Sequence, residues 1–246
     1  MSLNKVERNI IYQGKAKILY SCSNPSNLIQ YFKDDATANN AEKHSIILSK
    51  GIINNFISEY LMKSLEIQGV PTHFVKRLNE REQLIKKVKI IPVELVVRNL
   101  AAGSIIKRYG INEGIKFSKP LIEFFYKNDS LNDPLLNEQH IEEFGWSDNN
   151  EIKLIKKEAL RINKILIKIF DNAGIDLVDF KIEFGHCFNK KNEKQIILAD
   201  EISPDTCRLW DKKTKKILDK DIFRKNLGNL ISGYQEVADR LGVKIN

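Results

Sequence analysis

The stretch GIDLVDFKIEFG, residues 174–185, constrains the fold more than any other part of the chain. Side chains alternate across a strand, so Phe180, Ile182 and Phe184 share one face while Asp179, Lys181 and Glu183 share the other. Such a strand belongs in a sheet with one face on an apolar core. The polar loop HCFNKKNE follows, and then KQIILADEIS, so the two apolar runs predict a hairpin. The return strand ends in Asp200, next to Glu201, which brings Asp200 close to Glu183. Two carboxylates from different strands suit magnesium, which takes a few carboxylate oxygens and completes its shell with water and phosphates. Lys181 beside them would stabilise charge on a transferring phosphoryl group. A solvated or ion-paired strand face accounts for the same residues equally well.

From Ile10 to Arg98 the chain predicts short strands at IIYQGKAKILY, NLIQYFK, PTHFVKRL, QLIKKVKI and PVELVVRN. One helix interrupts them, with Ile52, Phe56 and Tyr60 on its apolar stripe, Ser49 as its cap and QGVP as its end. This order predicts an α+β fold with an antiparallel N-terminal lobe, not a parallel βαβ series. Beyond AAGS come a short helix and the loop-rich FYKNDSLNDPLLNEQH. The strongest helical period follows, in Ile152, Ile155, Ala159, Ile162, Leu166 and Ile169, with Asp148 and Glu151 as a capping box and Gly174 as its stop. A last amphipathic helix takes Phe223, Leu227, Leu230, Tyr234, Val237 and Leu241. No internal repeat or low-complexity linker is visible. The division predicted is an N-terminal lobe over 1–92 and a larger α+β C-terminal lobe over 93–246.

A chain of 246 residues with 42% hydrophobic content has enough apolar material for one large domain or two packed lobes. No apolar run approaches the roughly 20 residues of a membrane span, and MSLNKVERNIIYQGK lacks a secretory signal's apolar segment. A soluble, cytoplasmic protein is expected. Cys22, Cys187 and Cys207 are scattered, without metal or disulfide spacing. The net charge of +8 admits nucleic acid or small anions, but its lysines are spread along an Ile- and Asn-rich chain without an aromatic-studded basic stripe.

Other candidate sites are polar turns and strand ends. In YQGKAKILY, Gly14 permits close backbone approach to phosphate and Lys15 and Lys17 lie on one strand face, although a plain hairpin turn has the same form. In VELVVRNLAAGSIIKRYG, Arg98 ends a strand and Ser104 starts a helix, which makes either an anion cradle or a tight connection. Asp129 and Asp133 read as turn formers. His44, His73, His140 and His186 lack ligand spacing and read as surface or core histidines. Arg208 either binds an acidic substrate or pairs with Asp205 or Asp211.

Five of these segments, YQGKAKILY, VELVVRNLAAGS, KNDSLNDP, GIDLVDFKIEFG and LADEISPDTCRLWD, resemble in order and spacing the phosphoribosylaminoimidazole-succinocarboxamide synthases, or SAICAR synthetases. The resemblance runs from about Ile11 to RLGVKI near the C-terminus. It implies a two-lobed α+β fold related to the ATP-binding lobes of ATP-grasp enzymes and protein kinases. It also implies an ATP-dependent ligase of de novo purine synthesis that joins the carboxylate of 5-amino-1-(5-phospho-D-ribosyl)imidazole-4-carboxylate (CAIR) to L-aspartate through an acyl phosphate.

The resemblance implies that Gly14, Lys15 and Lys17 face the ATP phosphates and that the stretch from Lys86 and Lys87 to Ile91 passes the adenine. Glu183 and Asp200 become magnesium ligands, with Lys181 and Asp179 catalytic beside them and Asp179 a candidate base for the amine. Arg98, Ser104 and Arg208 become contacts to the ribonucleotide, with Asp129 and Asp205 bordering the substrate cleft. A homo-oligomer, a dimer, is expected, with no nucleic-acid or membrane partner. Two positions depart from the family. Ala36 and Thr37, before Asn39 and Asn40, stand where Thr-Ser is usual, losing one hydroxyl; Cys207 replaces a usual Ser and would bring a thiol near the site. A kinase-like phosphotransferase is the alternative reading.

Overall fold

The computed structural model describes residues 8–38, 43–188 and 193–245. Asn39 and Asn40 lie outside the described residues, as does part of the loop before Lys194. In chain order the first elements are β1 (Ile10–Gln13), β2 (Lys17–Ser21), β3 (Asn27–Phe32), β4 (Asp35–Ala38), β5 (Lys43–Ile46), α1 (Lys50–Ile67), β6 (Phe74–Arg77) and β7 (Glu82–Lys86). Then come β8 (Lys89–Leu100), α2 (Ser104–Tyr109), β9 (Lys116–Tyr126), β10 (Leu135–Leu136), α3 (Glu138–Glu143) and α4 (Asn149–Asn172). The chain closes with β11 (Ile175–Phe188), β12 (Lys194–Ala199), β13 (Cys207–Asp211), α5 (Asp221–Arg224) and α6 (Leu230–Arg240).

Among the described residues the strands form two large antiparallel sheets and a separate two-stranded β4–β5 pair. The first runs β1-β2-β3-β7-β6, and the second runs β10-β9-β8-β11-β12, with β13 also on β11. The predicted strand QLIKKVKI is divided between them: β7 ends at Lys86, and β8 enters the second sheet at Lys89, pairing with His186. The passage between sheets is thus made just ahead of residue 92. Backbone bonds stitch the sheets together beside it: His73 N–H donates to Leu198 O at 2.8 Å, and Leu198 N–H to Pro71 O at 3.0 Å.

The core follows from the two alternating strands at its centre. On β8, Val93, Leu95 and Val97 are buried in the same cluster as Phe180, Ile182 and Phe184 of β11. Helix α4 covers them with Ile152, Ile155, Ala159, Ile162 and Leu166, the stripe expected from its period. Asp148 caps it by accepting from Glu151 N–H, but the Glu151 carboxylate turns to Ser147 and His186 instead of closing a box. Helix α1 packs against β3, β6, α4 and α6 and is buried nearly all round.

Three local expectations change. Ser49 precedes α1 with φ 72 and gives no side-chain cap bond. The predicted last helix is two: α5 and α6 are separated by a turn with Gly228 at φ 121, Asn229 caps α6, and Leu227 is left exposed. Strands β4, β5, β9, β10 and β13 were not anticipated, because their sequences lack a clean alternation bounded by turn residues.

Candidate active site

Strand register assembles the site. Across β8 and β11, Glu94 lies beside Glu183, Val96 beside Lys181, and Arg98 beside Asp179. Cross-strand neighbours share a face, so the polar residues of both strands form one stripe opposite the core. Glu183 pairs across the hairpin with Ala199, not with Asp200; Asp200 follows just past the end of β12 at φ 66. It still reaches the stripe.

Four groups meet there. Lys181 Nζ lies 2.8 Å from Glu94 Oε1, 2.9 Å from Glu183 Oε1 and 3.3 Å from Asp200 Oδ2. The second oxygen of Glu183 holds Lys127, and the second oxygen of Asp200 holds Lys17, which also lies 3.3 Å from Glu201 Oε1. Burial opposes ionisation of Glu183, yet Lys181, Lys127 and Lys17 hold its carboxyl well below the usual range. Burial likewise opposes the charge on Lys181, but Glu183 and Glu94 keep it protonated far into alkali. For Lys17 burial prevails and lowers its pKa.

This donor set fits magnesium. Glu183 and Asp200 offer hard carboxylate oxygens around a point already occupied by positive charge, that of Lys181. Among the described residues no group of three His, Cys, Asp or Glu side chains is arranged to hold a metal by itself. A two-carboxylate site that leaves coordination positions to water and phosphate suits magnesium better than a closed cage.

At the other end of the stripe, Asp179 is held by two guanidiniums. Arg98 Nη1 lies 2.7 Å from Asp179 Oδ2, and Arg208 Nη1 lies 3.0 Å from the same oxygen. Arg98 also bonds Glu123 at 2.6 Å and reaches Ser104 Oγ at 3.3 Å, where Arg108 donates at 2.8 Å. Arg208 is anchored to Asp221 at 3.0 Å and, despite its burial, is held strongly protonated by Asp179 and Asp221. The small-residue run is needed here: a Cβ on Gly103, at φ 68, would lie 2.5 Å from Arg208 Nη2. Three arginines and a hydroxyl therefore surround the start of α2, with Glu123, Asp179 and Asp221 as the carboxylate partners of the arginines.

The remaining predicted residues separate. Lys15 reaches Asp129 at 2.6 Å, linking the β1–β2 turn to the loop after β9. Gly14 fits beneath Tyr12, whose ring atom Cε1 would stand 3.0 Å from an added Cβ. Lys86 donates to Thr72 O at 2.8 Å, and Lys87 N–H donates to Ser26 O at 2.8 Å, at the passage between sheets.

Asp205 does not open to a ligand. Its side chain is 3% exposed and holds Lys50 at 2.6 Å; Tyr234 Oη donates to it at 2.5 Å. Cys207 is opposite Phe180 and faces the core, where burial pushes its thiol pKa up, so no thiol enters the site. Ala36 is also in the core, which removes the site for the expected lost hydroxyl.

Glu94, Lys127, Glu123 and Arg108 were missed. Glu94 was discoverable, since it shares a strand face with Arg98 in VELVVR; the others depend on pairings that no local pattern reveals.

Residues 10–241 match the SAICAR synthetase family model. The chain belongs to the SAICAR synthetase family. A phosphoribosylaminoimidazole-succinocarboxamide synthase from Wolbachia pipientis subsp. Culex pipiens is 58% identical, with both chains covered in full. The crystal structure of such a synthase from Ehrlichia chaffeensis superposes with a TM-score of 0.94 at 55% identity, covering 97% of this chain and 100% of the other. A SAICAR synthetase solved in complex with ADP has a TM-score of 0.90 at 42% identity, covering 98% of this chain and 99% of the other. The two-lobed α+β architecture is that of the SAICAR synthetase fold. Among the described residues no helix is long and apolar enough to cross a membrane.

Proposed function

We propose that the polar stripe of β8 and β11 is where this carbon–nitrogen ligase forms its amide bond. The reaction is the family's: CAIR, ATP and L-aspartate give SAICAR, ADP and phosphate. An oxygen of the CAIR carboxylate attacks the γ-phosphorus and ADP leaves, giving an acyl phosphate. The aspartate amine then attacks the acyl carbon, phosphate leaves and the amine loses a proton. Activation is needed because oxide is a far poorer leaving group than phosphate.

The residues divide this work by charge. Lys17, with Lys15 and Gly14 in the preceding turn, faces the ATP phosphates, and Lys86 and Lys87 border the nucleotide where the chain passes between sheets. Glu183 and Asp200 would hold magnesium, which when bound neutralises charge on the phosphates. Lys181 stands at the transferring group. Arg98, Arg208 and Ser104 take the ribonucleotide phosphate, and Asp129 borders the cleft. Asp179 keeps Arg98 and Arg208 in place; with both guanidiniums on one of its oxygens, it suits positioning better than proton abstraction. Two chains forming a dimer belong to the same proposal.

The observation that carries this reading is the convergence of Glu94, Glu183 and Asp200 on Lys181, on the same sheet face as the Arg98–Asp179–Arg208 set. Phosphate release that requires both CAIR and aspartate supports it. A stable phosphorylated acceptor formed without aspartate would instead indicate a kinase-like phosphotransferase.

A further inference from the structure

Both oxygens of Asp200 are engaged by lysines, and the two lysines come from different sheets. Lys17, the first residue of β2, holds Oδ1 from the N-terminal sheet, while Lys181 of β11 lies 3.3 Å from Oδ2. The Lys17 and Asp200 side chains are only 15% and 11% exposed, so solvent ions screen the pair little. Asp200 is one of the two carboxylates that fit magnesium, and Lys17 is one of the lysines assigned to the ATP phosphates. Their contact thus joins a metal ligand to a phosphate ligand, and the chemistry above gives it no role.

An oxygen that holds a lysine ammonium is a poor ligand for a divalent cation, because the two positive charges repel across a few ångströms of partly buried space. Lys17 can yield that oxygen without disturbing the fold. Its backbone is fixed, since Gly14 N–H donates to Lys17 O at 2.9 Å and Lys33 N–H donates to Ala16 O at 2.8 Å. Release from Asp200 therefore needs only side-chain torsions, which the flexible stem of a lysine supplies. Glu201 Oε1, 3.3 Å from Lys17 Nζ, remains a neighbour of the ammonium, its other oxygen accepting from Ser203 Oγ. Lys181 is less free, because Glu94 and Glu183 also hold it, at 2.8 and 2.9 Å. Lys15 bears on a different carboxylate, Asp129.

We propose that Lys17 exchanges partners as the nucleotide is taken up, leaving Asp200 Oδ1 to the metal and moving onto the phosphates that the metal carries. The inference rests on the nucleotide and metal reading above. It makes Lys17 a coupling residue, which disfavours the metal alone and favours the metal with its nucleotide.

Electron paramagnetic resonance titration with manganese, which takes the same carboxylate and water ligands as magnesium, tests this with and without ADP. Lys17→Met should bind manganese alone roughly tenfold more tightly than the wild type and manganese-ADP roughly tenfold more weakly, about one charge-assisted contact in each direction. Lys17→Gln serves as the neutral variant should the methionine fail to fold. Lys15→Met, which removes the partner of Asp129, should leave the affinity for manganese alone within about twofold of the wild type. Manganese alone bound no more tightly by the neutral Lys17 variant, or manganese and manganese-ADP shifted in the same direction, would overturn the exchange. Equal tightening in Lys15→Met would overturn it too, since any nearby positive charge would then have the same effect. Asp200→Asn that binds manganese like the wild type would overturn the metal reading along with it, and failure of the wild type to bind manganese-ADP would overturn the nucleotide reading.

Discussion

Arg98 and Asp179 face each other in register across the two central strands, Nη1 2.7 Å from Oδ2, both almost wholly buried. The pair is the fixed end of a polar stripe whose other end gathers Lys181, Glu183 and Asp200. Because both strands bury their alternate residues in the core, the stripe cannot shift register without exposing that core. Its geometry is set by the packing beneath it.

Glu183 is the carboxylate on which the metal end depends. Glu183→Gln keeps the shape but leaves Lys181 and Lys127 without their shared counter-ion. Turnover should fall by about 100-fold or more, as when a preorganised electrostatic group is removed. Steady-state kinetics over a magnesium titration will show it; near-normal kcat would mean that the metal is held elsewhere.

Gly103→Ala should act on the ribonucleotide site alone. The new methyl meets Arg208 at 2.5 Å, on a backbone with φ 68. Displacing one charge-assisted bond should raise KM for CAIR roughly tenfold, with KM for ATP nearly unchanged. Equal change in both constants would indicate general disruption.

Asp205 separates stability from catalysis. Asp205→Ala strands the Lys50 ammonium, whose side chain is 1% exposed, and should cost about 3–5 kcal/mol in denaturant unfolding. KM values for the three substrates should stay near those of the wild type, because Asp205 faces Lys50 and Tyr234 and not the cleft. A selective rise in one KM would restore it to the substrate site.

Asp219 gives a pH signature. Burial first, then Asp221, raise its pKa to about 7, while it accepts Leu209 N–H and Asp221 N–H, each at 2.7 Å. A raised carboxyl means that the folded state keeps a proton which the unfolded chain, with an ordinary carboxyl near 3.8, has already lost. Asp219 therefore lowers stability as pH rises from about 4 to 7, by up to about 1.4 kcal/mol per pH unit. Unfolding free energies across that window should show a shallower fall in Asp219→Asn, and parallel curves would contradict the shift.

Much of the site was legible because it lies on strands. Alternation in DFKIEF placed Asp179, Lys181 and Glu183 on one face, and the hairpin put Asp200 nearby. What alternation cannot supply is register: Glu94 and Lys127 join Glu183 only through β8 and the segment after β9, and Arg208 reaches Asp179 only through the pairing of β13 with β11. The predicted last helix failed for a local reason, since its apolar stripe continues across a glycine turn. Asp205 misled because a carboxylate in a functional motif is consumed by a buried lysine.

The central claim is that the Lys181 cluster and the Arg98 cluster serve one amide-forming reaction. Phosphate release and incorporation of labelled aspartate, measured together with ATP, CAIR and aspartate each omitted in turn, test it most directly. The account predicts equal amounts of phosphate and labelled SAICAR only when all three are present, and neither when any one is missing. Phosphate transfer to a stable acceptor without aspartate, or labelled product without ATP, would contradict it.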